Sequence, residues 1–478
     1  MNQISKREQF YFLLGLLLVT GWIFSSAVSY GYSHWDSTTY LKENPVFDQP
    51  LGNIIDDILN GNVHSHEILY IPVFYLVYLI ELQLGFSPQV MHATGILIHL
   101  LNIVLLTICL TKLKTPFWCN AIAVSAFSIH PLQVETVVWL MGKKDLIATA
   151  WLLLAICSFT SSIKFNKAFT LLFYLLACFT KPSVITMFPI FALIDYFCLK
   201  KKEYALHSLL LGISVFCYFL NVTTGETWES IPFHWGMLPF WVWHWIEKVL
   251  CLSPVSPLYF WDDMKGWRIY AGLVAIFTIV PACAFIVVKR KPQMILVLAW
   301  ILLYSVPAVA LFLKLNRFFY TADRYMYTCL PFIVLLALLF LRNCFERYQK
   351  IICIFALIWL IFSGYNAKKV VAVWRSPLTF WSYVIKQSPN TYIPNLKYAL
   401  AMRVMGNKEL AIQYFERAYQ LAPKREEVTT PYIDYLVKVE EYQRALDIIE
   451  QILAIEPNYP HYVKIKREIL FKIEQQKQ

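Results

Sequence analysis

Charged residues are scarce in this chain, 15% of 478 positions against 58% hydrophobic ones, and long stretches of its first three quarters carry none. That shortage excludes a single soluble globule and implies a multi-spanning membrane protein. No Gly-rich phosphate loop of either common type occurs, so no soluble nucleotide fingerprint is present. None of the eleven cysteines forms Cys-x-x-Cys, and all lie within or beside apolar runs, where they read as small core hydrophobes. His64-Ser65-His66 is the one close histidine pair, and without a third ligand nearby it does not make a metal site. There is also no single basic patch: the net charge of +11 is spread between apolar segments, which removes nucleic acid as a partner.

The cations fall at Lys6-Arg7, Lys112 with Lys114, Lys164 with Lys167, Lys200-Lys201-Lys202, Lys289-Arg290-Lys291, and Arg342 with Arg347 and Lys350. Such clusters mark short cytoplasmic loops. The apolar runs between them give eleven expected crossings, at 10–29, 90–111, 117–129, 146–163, 168–180, 182–199, 204–221, 268–288, 293–313, 325–341 and 351–366. Two further stretches, 68–84 with Tyr70, Tyr75, Tyr78 and Glu81, and 236–252 with Trp241, Trp243, His244, Trp245, Glu247 and Lys248, are expected to lie in the interface with a polar stripe outward. The N-terminus is then cytoplasmic and the C-terminus outside, with Lys6-Arg7 and 10–29 forming an uncleaved first span. The loop 30–67, the turn His130 to Asp145, Thr180-Lys181-Pro182 and Lys314 to Arg324 gather on the outer face.

Composition changes after Tyr365. Pro389, Pro423 and Pro457 recur every 34 residues, and in that register Tyr398 returns as Tyr432, Ala411 as Ala445 and Phe415 as Ile449. Gly406, Ala411, Phe415, Ala418 and Pro423 stand where a tetratricopeptide repeat wants them: small Ala lets paired helices close, and Pro stops the second helix. The expected organisation is a membrane domain, 1–370, and a repeat domain, 371–478, with two full repeats after a half repeat.

Six motifs stand in order along the chain. They are Asp36-x-x-x-Tyr40-x-x-x-Asn44-Pro45, His130-Pro131-x-x-x-Glu135-x-x-x-Trp139, Gly142-Lys143-Lys144-Asp145, Thr180-Lys181-Pro182, Thr321-Ala322-Asp323-Arg324-Tyr325, and Trp374-Arg375 leading into the repeats. In this order they resemble the tetratricopeptide-repeat transmembrane O-mannosyltransferases and their bacterial relatives, in the membrane-embedded glycosyltransferase C superfamily. The resemblance implies an all-α polytopic helix bundle of that type with a C-terminal tetratricopeptide-repeat α-solenoid. It also implies a polyprenyl-phosphate sugar as donor and a catalytic acid in the first external loop. Two departures stand out. Family members carry two adjacent acids where Asp36 is followed by Ser37, and Gly-Arg-Lys-Asp where this chain has Gly142-Lys143-Lys144-Asp145.

The expected mechanism follows from charge. Asp36 takes the acceptor proton as the hydroxyl attacks the anomeric carbon. Lys143, Lys144, Lys181 and Arg324 meet the donor phosphate, while His130, Glu135, Asp145, Tyr40 and Asp323 position sugar or acceptor. The donor is a co-substrate, no resident cofactor is assigned, and a divalent metal is left open. The repeats would hold an acceptor protein or peptide. The same residues also have structural readings: Asp323-Arg324 as a local ion pair, Glu135 beside Trp139 as an interfacial anchor, Lys181 before Pro182 as a helix cap. A flippase of lipid-linked sugars and an envelope assembly scaffold are the alternative functions. The expected location is a bacterial inner membrane with periplasmic repeats, or the endoplasmic reticulum membrane with lumenal repeats in a eukaryote.

Overall fold

The protein is an all-α polytopic helix bundle. Its computed structural model describes residues 5–32, 37–63, 69–224, 234–261, 266–289, 291–313, 319–344, 346–455, 457 and 459–476. Among these, the only strand residues are Tyr259–Phe260 and Phe319–Thr321. The chain divides into two compact units, one of residues 1–258 and 265–376, the other of 377–478 with 259–264. The expected boundary at 370 falls inside the helix Gln349–Val373.

Among the described residues of the first unit, seven helices are long and apolar enough to cross a membrane: Lys6–Ser29, Pro88–Lys112, Pro182–Leu199, Tyr204–Asn221, Trp267–Val288, Pro292–Ala310 and Gln349–Val373. An eighth span results if Phe117–Ile129 and Pro131–Val138, bent by 52° at the break, count as one. Three further expected crossings are the helices Lys143–Phe159, Asn166–Thr180 and Cys329–Cys344, of 17, 15 and 16 residues. They stop short of the ~20 residues that cross the hydrocarbon layer. Eleven full-length crossings are therefore not what the helix lengths give.

The cationic clusters meet at one end of this bundle. Lys112 donates to Thr160 Oγ1 at 2.7 Å, Gln293 donates to the Lys114 carbonyl at 3.1 Å, and Lys167 pairs with Glu203 at 2.6 Å. Phe12 on the first helix meets Phe117 edge-on at the same end. Helices entering from loops far apart in sequence thus share one basic rim, as the charge pattern implied.

The segments 68–84 and 236–252 correct the expectation of an outward polar stripe. Their helices, Pro72–Gln83 and Leu238–Val249, are 12 residues each, about 18 Å long at the α-helical rise. Tyr75, Tyr78 and Glu81 on the first, and His244, Glu247 and Lys248 on the second, are buried, while Ile80 and the terminal Gln83 are the exposed side chains of the first. A helix with aromatic and charged residues looks alike in sequence whether its polar groups face headgroups or partners. Here they face partners.

In the second unit the helices Tyr392–Val404, Lys408–Leu421, Glu426–Lys438, Tyr442–Ile455 and Pro460–Gln476 follow one another at short turns. Ala411, Phe415, Ala418, Ala445 and Ile449 are fully buried, so the 34-residue register places small and large core residues in equivalent positions. Phe415 stacks on Tyr432 with ring centroids 5.7 Å apart. The turn between paired helices is left-handed in both copies, at Gly406 with φ +74° and at Glu440 with φ +64°. Glycine adopts that conformation freely, whereas Glu440 does so at some cost.

Candidate functional site

The end of the bundle away from the basic rim is built on the stretch 130–145. His130 ends the helix Phe117–Ile129, Pro131 starts a new direction, and the chain folds back through Val134–Val138 and Leu140–Gly142 into the helix Lys143–Phe159. This fold is close enough to exclude side chains at Gly142: a Cβ there would lie 2.7 Å from the Thr136 carbonyl oxygen and 3.0 Å from its Cα. Glycine is therefore what lets the Gly142-Lys143-Lys144-Asp145 turn sit on the preceding helix.

That turn buries charge, and each buried charge has a partner. Lys143 Nζ donates to both carboxylate oxygens of Glu81, at 2.7 and 2.8 Å, and to Thr94 Oγ1 at 3.1 Å. Asp145 pairs with Lys181. Glu135 accepts from the Arg324 backbone N–H at 2.9 Å and from its Nη1 at 2.5 Å. Aromatic faces link the pairs. Arg324 lies over Trp139 and Tyr325, both at 5.2 Å; Lys181 lies over Tyr304 and Tyr325 at 5.7 and 5.8 Å; Lys144 lies over Trp139 at 5.8 Å. Such stacking adds to the attraction when water is excluded. Burial alone would push the Arg324 guanidinium down, but Glu135, then Tyr325 and Asp145, hold it above its ordinary value.

A second knot adjoins through Asp323. Burial pushes the Lys248 ammonium down to about 8, with the Asp323 charge opposing, Arg268 adding to the push and Glu247 opposing. Glu247 itself pairs with Arg268 at 2.8 Å and accepts from Trp243 Nε1 at 2.8 Å.

Of the expected site residues, the structure brings Glu135, Arg324, Asp145, Lys181 and Lys144 together around Trp139 and Tyr325. Lys143 is 4% exposed and turned to Glu81, so it has no face left for a phosphate. His130 is fully buried and tied to the Val249 carbonyl at 3.1 Å and the Leu132 N–H at 3.2 Å, a stitch between segments rather than a group that can reach a sugar. Asp323 is buried, and Tyr40 is half-buried in the short helix Thr38–Lys42.

Asp36 lies outside the described residues, as do His64, Ser65, His66 and Lys314. Its flanks are described. Tyr32 Oη sits 3.4 Å from Tyr78 Oη, and Leu41 lines a small cavity with Tyr78, Glu81 and Lys143. Both ends of the segment carrying Asp36 thus reach the helix that bears Glu81.

Sequence reasoning missed Glu81 as a buried partner, and with it Thr94, which donates to Glu81 Oε1 at 2.6 Å. The signal was present: a lone acid inside an apolar run points to an inward role. Tyr304 carried no such signal, because an aromatic in an apolar helix is ordinary.

Comparison with known proteins finds partial likeness. The chain is 30% identical over 152 residues to the human protein named Protein O-mannosyl-transferase TMTC1, a match covering 28% of this chain and 17% of that protein. The chain thus spans less than a fifth of the relative's length. No protein-family model matches it. No solved structure matches either.

Proposed function

We propose that the protein is a membrane glycosyltransferase that moves a mannose-like sugar from a polyprenyl-phosphate donor to a hydroxyl of a protein. The observation that carries this reading is the group of paired charges, Glu135 with Arg324 and Asp145 with Lys181, joined by Trp139 and Tyr325 at one end of a helix bundle. Buried charges in a membrane bundle are costly and mark functional sites. The partial likeness to a protein O-mannosyl-transferase supports the reaction class.

In this reading Asp36 is the base that takes the acceptor proton. Arg324, with 26% of its side chain exposed, and half-buried Lys144 are the cations that face the departing phosphate. Glu135 and Asp145 aim Arg324 and Lys181 and keep them charged; Lys143, held by Glu81, fixes the turn. The helix pairs of 377–476, read as tetratricopeptide-type repeats, take the acceptor protein. The reaction is a displacement: the acceptor oxygen bonds to the anomeric carbon, the sugar–phosphate bond breaks, and the lipid phosphate leaves with the bond's electrons.

The test is sugar transfer by full-length protein in lipid nanodiscs, with a prenyl-phosphate mannose donor and Ser/Thr peptides. Wild type should transfer, and Asp36→Asn should lose transfer by about a hundredfold or more while melting at the same temperature. Equal rates would remove Asp36 from the chemistry, and a wild type that moves the donor across a bilayer without cleaving it would favour the flippase.

A further inference from the structure

At the basic rim, the end of the bundle away from the Glu135–Arg324 group, a cavity of about 590 Å³ lies between the helices Pro88–Lys112, Lys143–Phe159, Pro182–Leu199, Pro292–Leu313 and Cys329–Cys344. Its walls run inward at three- and four-residue spacing: Gln293, Leu296 and Trp300 along one helix, Cys198, Ile194 and Ile190 along another. At the α-helical rise each row is about 10–12 Å long, so the cavity reaches about a third of the way into the ~30 Å hydrocarbon layer. Trp300 stacks on Phe332 in its wall, ring centroids 4.3 Å apart. The polar lining residues gather at the rim, where Lys112 holds Thr160 and Gln293 holds the Lys114 carbonyl. All other lining side chains are apolar or cysteine.

Lys112 and Lys114 are exposed, and among the described residues neither meets a carboxylate. The acids on the segment that follows Ile194 are committed elsewhere. Asp195 accepts from the backbone N–H groups of Lys201 and Glu203, both at 2.7 Å, and lies 3.0 Å from His207 Nε2, while Glu203 pairs with Lys167. An apolar cavity stays dry, and an empty one forfeits the dispersion contacts of its lining. A hydrocarbon chain supplies those contacts, and two unmatched cations at the mouth select a chain with an anionic head. A soluble anion would meet the lysines and leave the cavity unfilled. A sugar-donor lipid seated here would not be placed to react: Lys144 and Thr160 stand at opposite ends of one helix, about 24 Å apart along its axis. That last exclusion rests on the transferase reading; the cavity and its cations do not.

We propose that this cavity seats one acyl chain of an anionic phospholipid from the surrounding bilayer, with Lys112 and Lys114 on its phosphate and Thr160 and Gln293 beside the headgroup. The lipid is a fixed part of the protein, not a substrate. It fills the gap between the helix that begins at Lys143-Lys144-Asp145, the span that follows Lys181 and the helix that carries Tyr304. From the opposite end it therefore ties together segments that hold the buried charge pairs.

The experiment is native mass spectrometry of the full chain in detergent, titrated with phosphatidylglycerol or with phosphatidylcholine of the same acyl chains and counting retained lipid. Wild type should retain one phosphatidylglycerol at about tenfold lower concentration than phosphatidylcholine. Lys112→Ala with Lys114→Ala should abolish that preference without changing the melting temperature of the lipid-free protein, and Lys112→Arg with Lys114→Arg should keep it. Ile194→Trp, which fills the cavity and spares both lysines, should weaken phosphatidylglycerol about tenfold. No preference in wild type, or the same preference in the double alanine variant, would overturn the headgroup assignment. Undiminished binding to Ile194→Trp would overturn the seated chain. Competition by glycerol phosphate at the same concentration would overturn the lipid origin, and retention of farnesyl phosphate at a lower concentration than phosphatidylglycerol would overturn the phospholipid. Phosphatidylglycerol held by a wild type that transfers no sugar would sink the transferase reading and leave the lipid site standing.

Discussion

Exposure separates the ion pairs at the 130–145 end of the membrane unit from those of the second unit, while the Lys167–Glu203 pair at the basic rim lies open as the latter do. In the membrane unit Lys143–Glu81, Lys181–Asp145 and Arg268–Glu247 keep no more than 14% of any side chain exposed. In the helical repeats Lys408–Glu441, Arg425–Glu427 and Arg444–Glu416 keep at least 37%. Exposed pairs gain little because water competes for both charges and salt screens them. Buried pairs are rarely net stabilisers either, yet removing one partner strands a charge in a low dielectric. A membrane protein that holds several such pairs at one end therefore retains them for something other than stability, which is why the site is placed there and not on the repeats.

The largest expected effect comes from stranding a charge. Asp145→Ala leaves the Lys181 ammonium with aromatic rings alone and should destabilise by about 3–5 kcal/mol, read as a lowered melting temperature in detergent. The paired replacement Asp145→Leu with Lys181→Met should recover most of that loss, and recovery of none would mean the pair is worth more than its desolvation cost. Next come two glycines that differ in kind. Gly142→Ala forces a methyl against the Thr136 carbonyl, 2.7 Å away, and should cost about 1–3 kcal/mol. Gly406→Ala meets open space but keeps a left-handed turn, so about 1 kcal/mol is expected. If the repeat glycine proved the costlier of the two, the close approach at Gly142 would not be what fixes it. Smallest is Glu441→Ala, which removes an exposed partner of Lys408 and should change stability by less than about 1 kcal/mol.

These differences mark what could be read from one sequence. Hydrophobic runs located the membrane helices, and the 34-residue register located Ala411, Phe415 and Ala445 in a core, because both signals are local and repeat. Charge clustering gave the shared basic rim for the same reason. Pairings were another matter. Lys143 meets Glu81 from 62 positions away, Lys181 meets Asp145 from 36, and Arg324 meets Glu135 from 189. No periodicity links residues at such distances, so a sequence shows Lys143, Lys181 and Arg324 as cations at span ends and does not show the acids they meet within the fold. Helix ends are less legible: the turn His130 to Asp145 falls where the apolar runs leave it, but the run 146–163 belongs to a helix that begins at Lys143 and stops at Phe159, and apolar composition does not mark where a helix stops.

One pair of substitutions tests whether the chemistry belongs to the membrane unit's paired charges. Arg324→Lys keeps a cation, and Glu135 keeps the backbone N–H of residue 324, but the guanidinium fork and its stacking on Trp139 are lost. Arg444→Lys makes the same change at the exposed Glu416 pair. With both proteins folded in nanodiscs and the same prenyl-phosphate mannose donor, the account predicts that Arg324→Lys lowers sugar transfer by about tenfold or more while Arg444→Lys transfers at the wild-type rate. Equal rates in the two variants would contradict it.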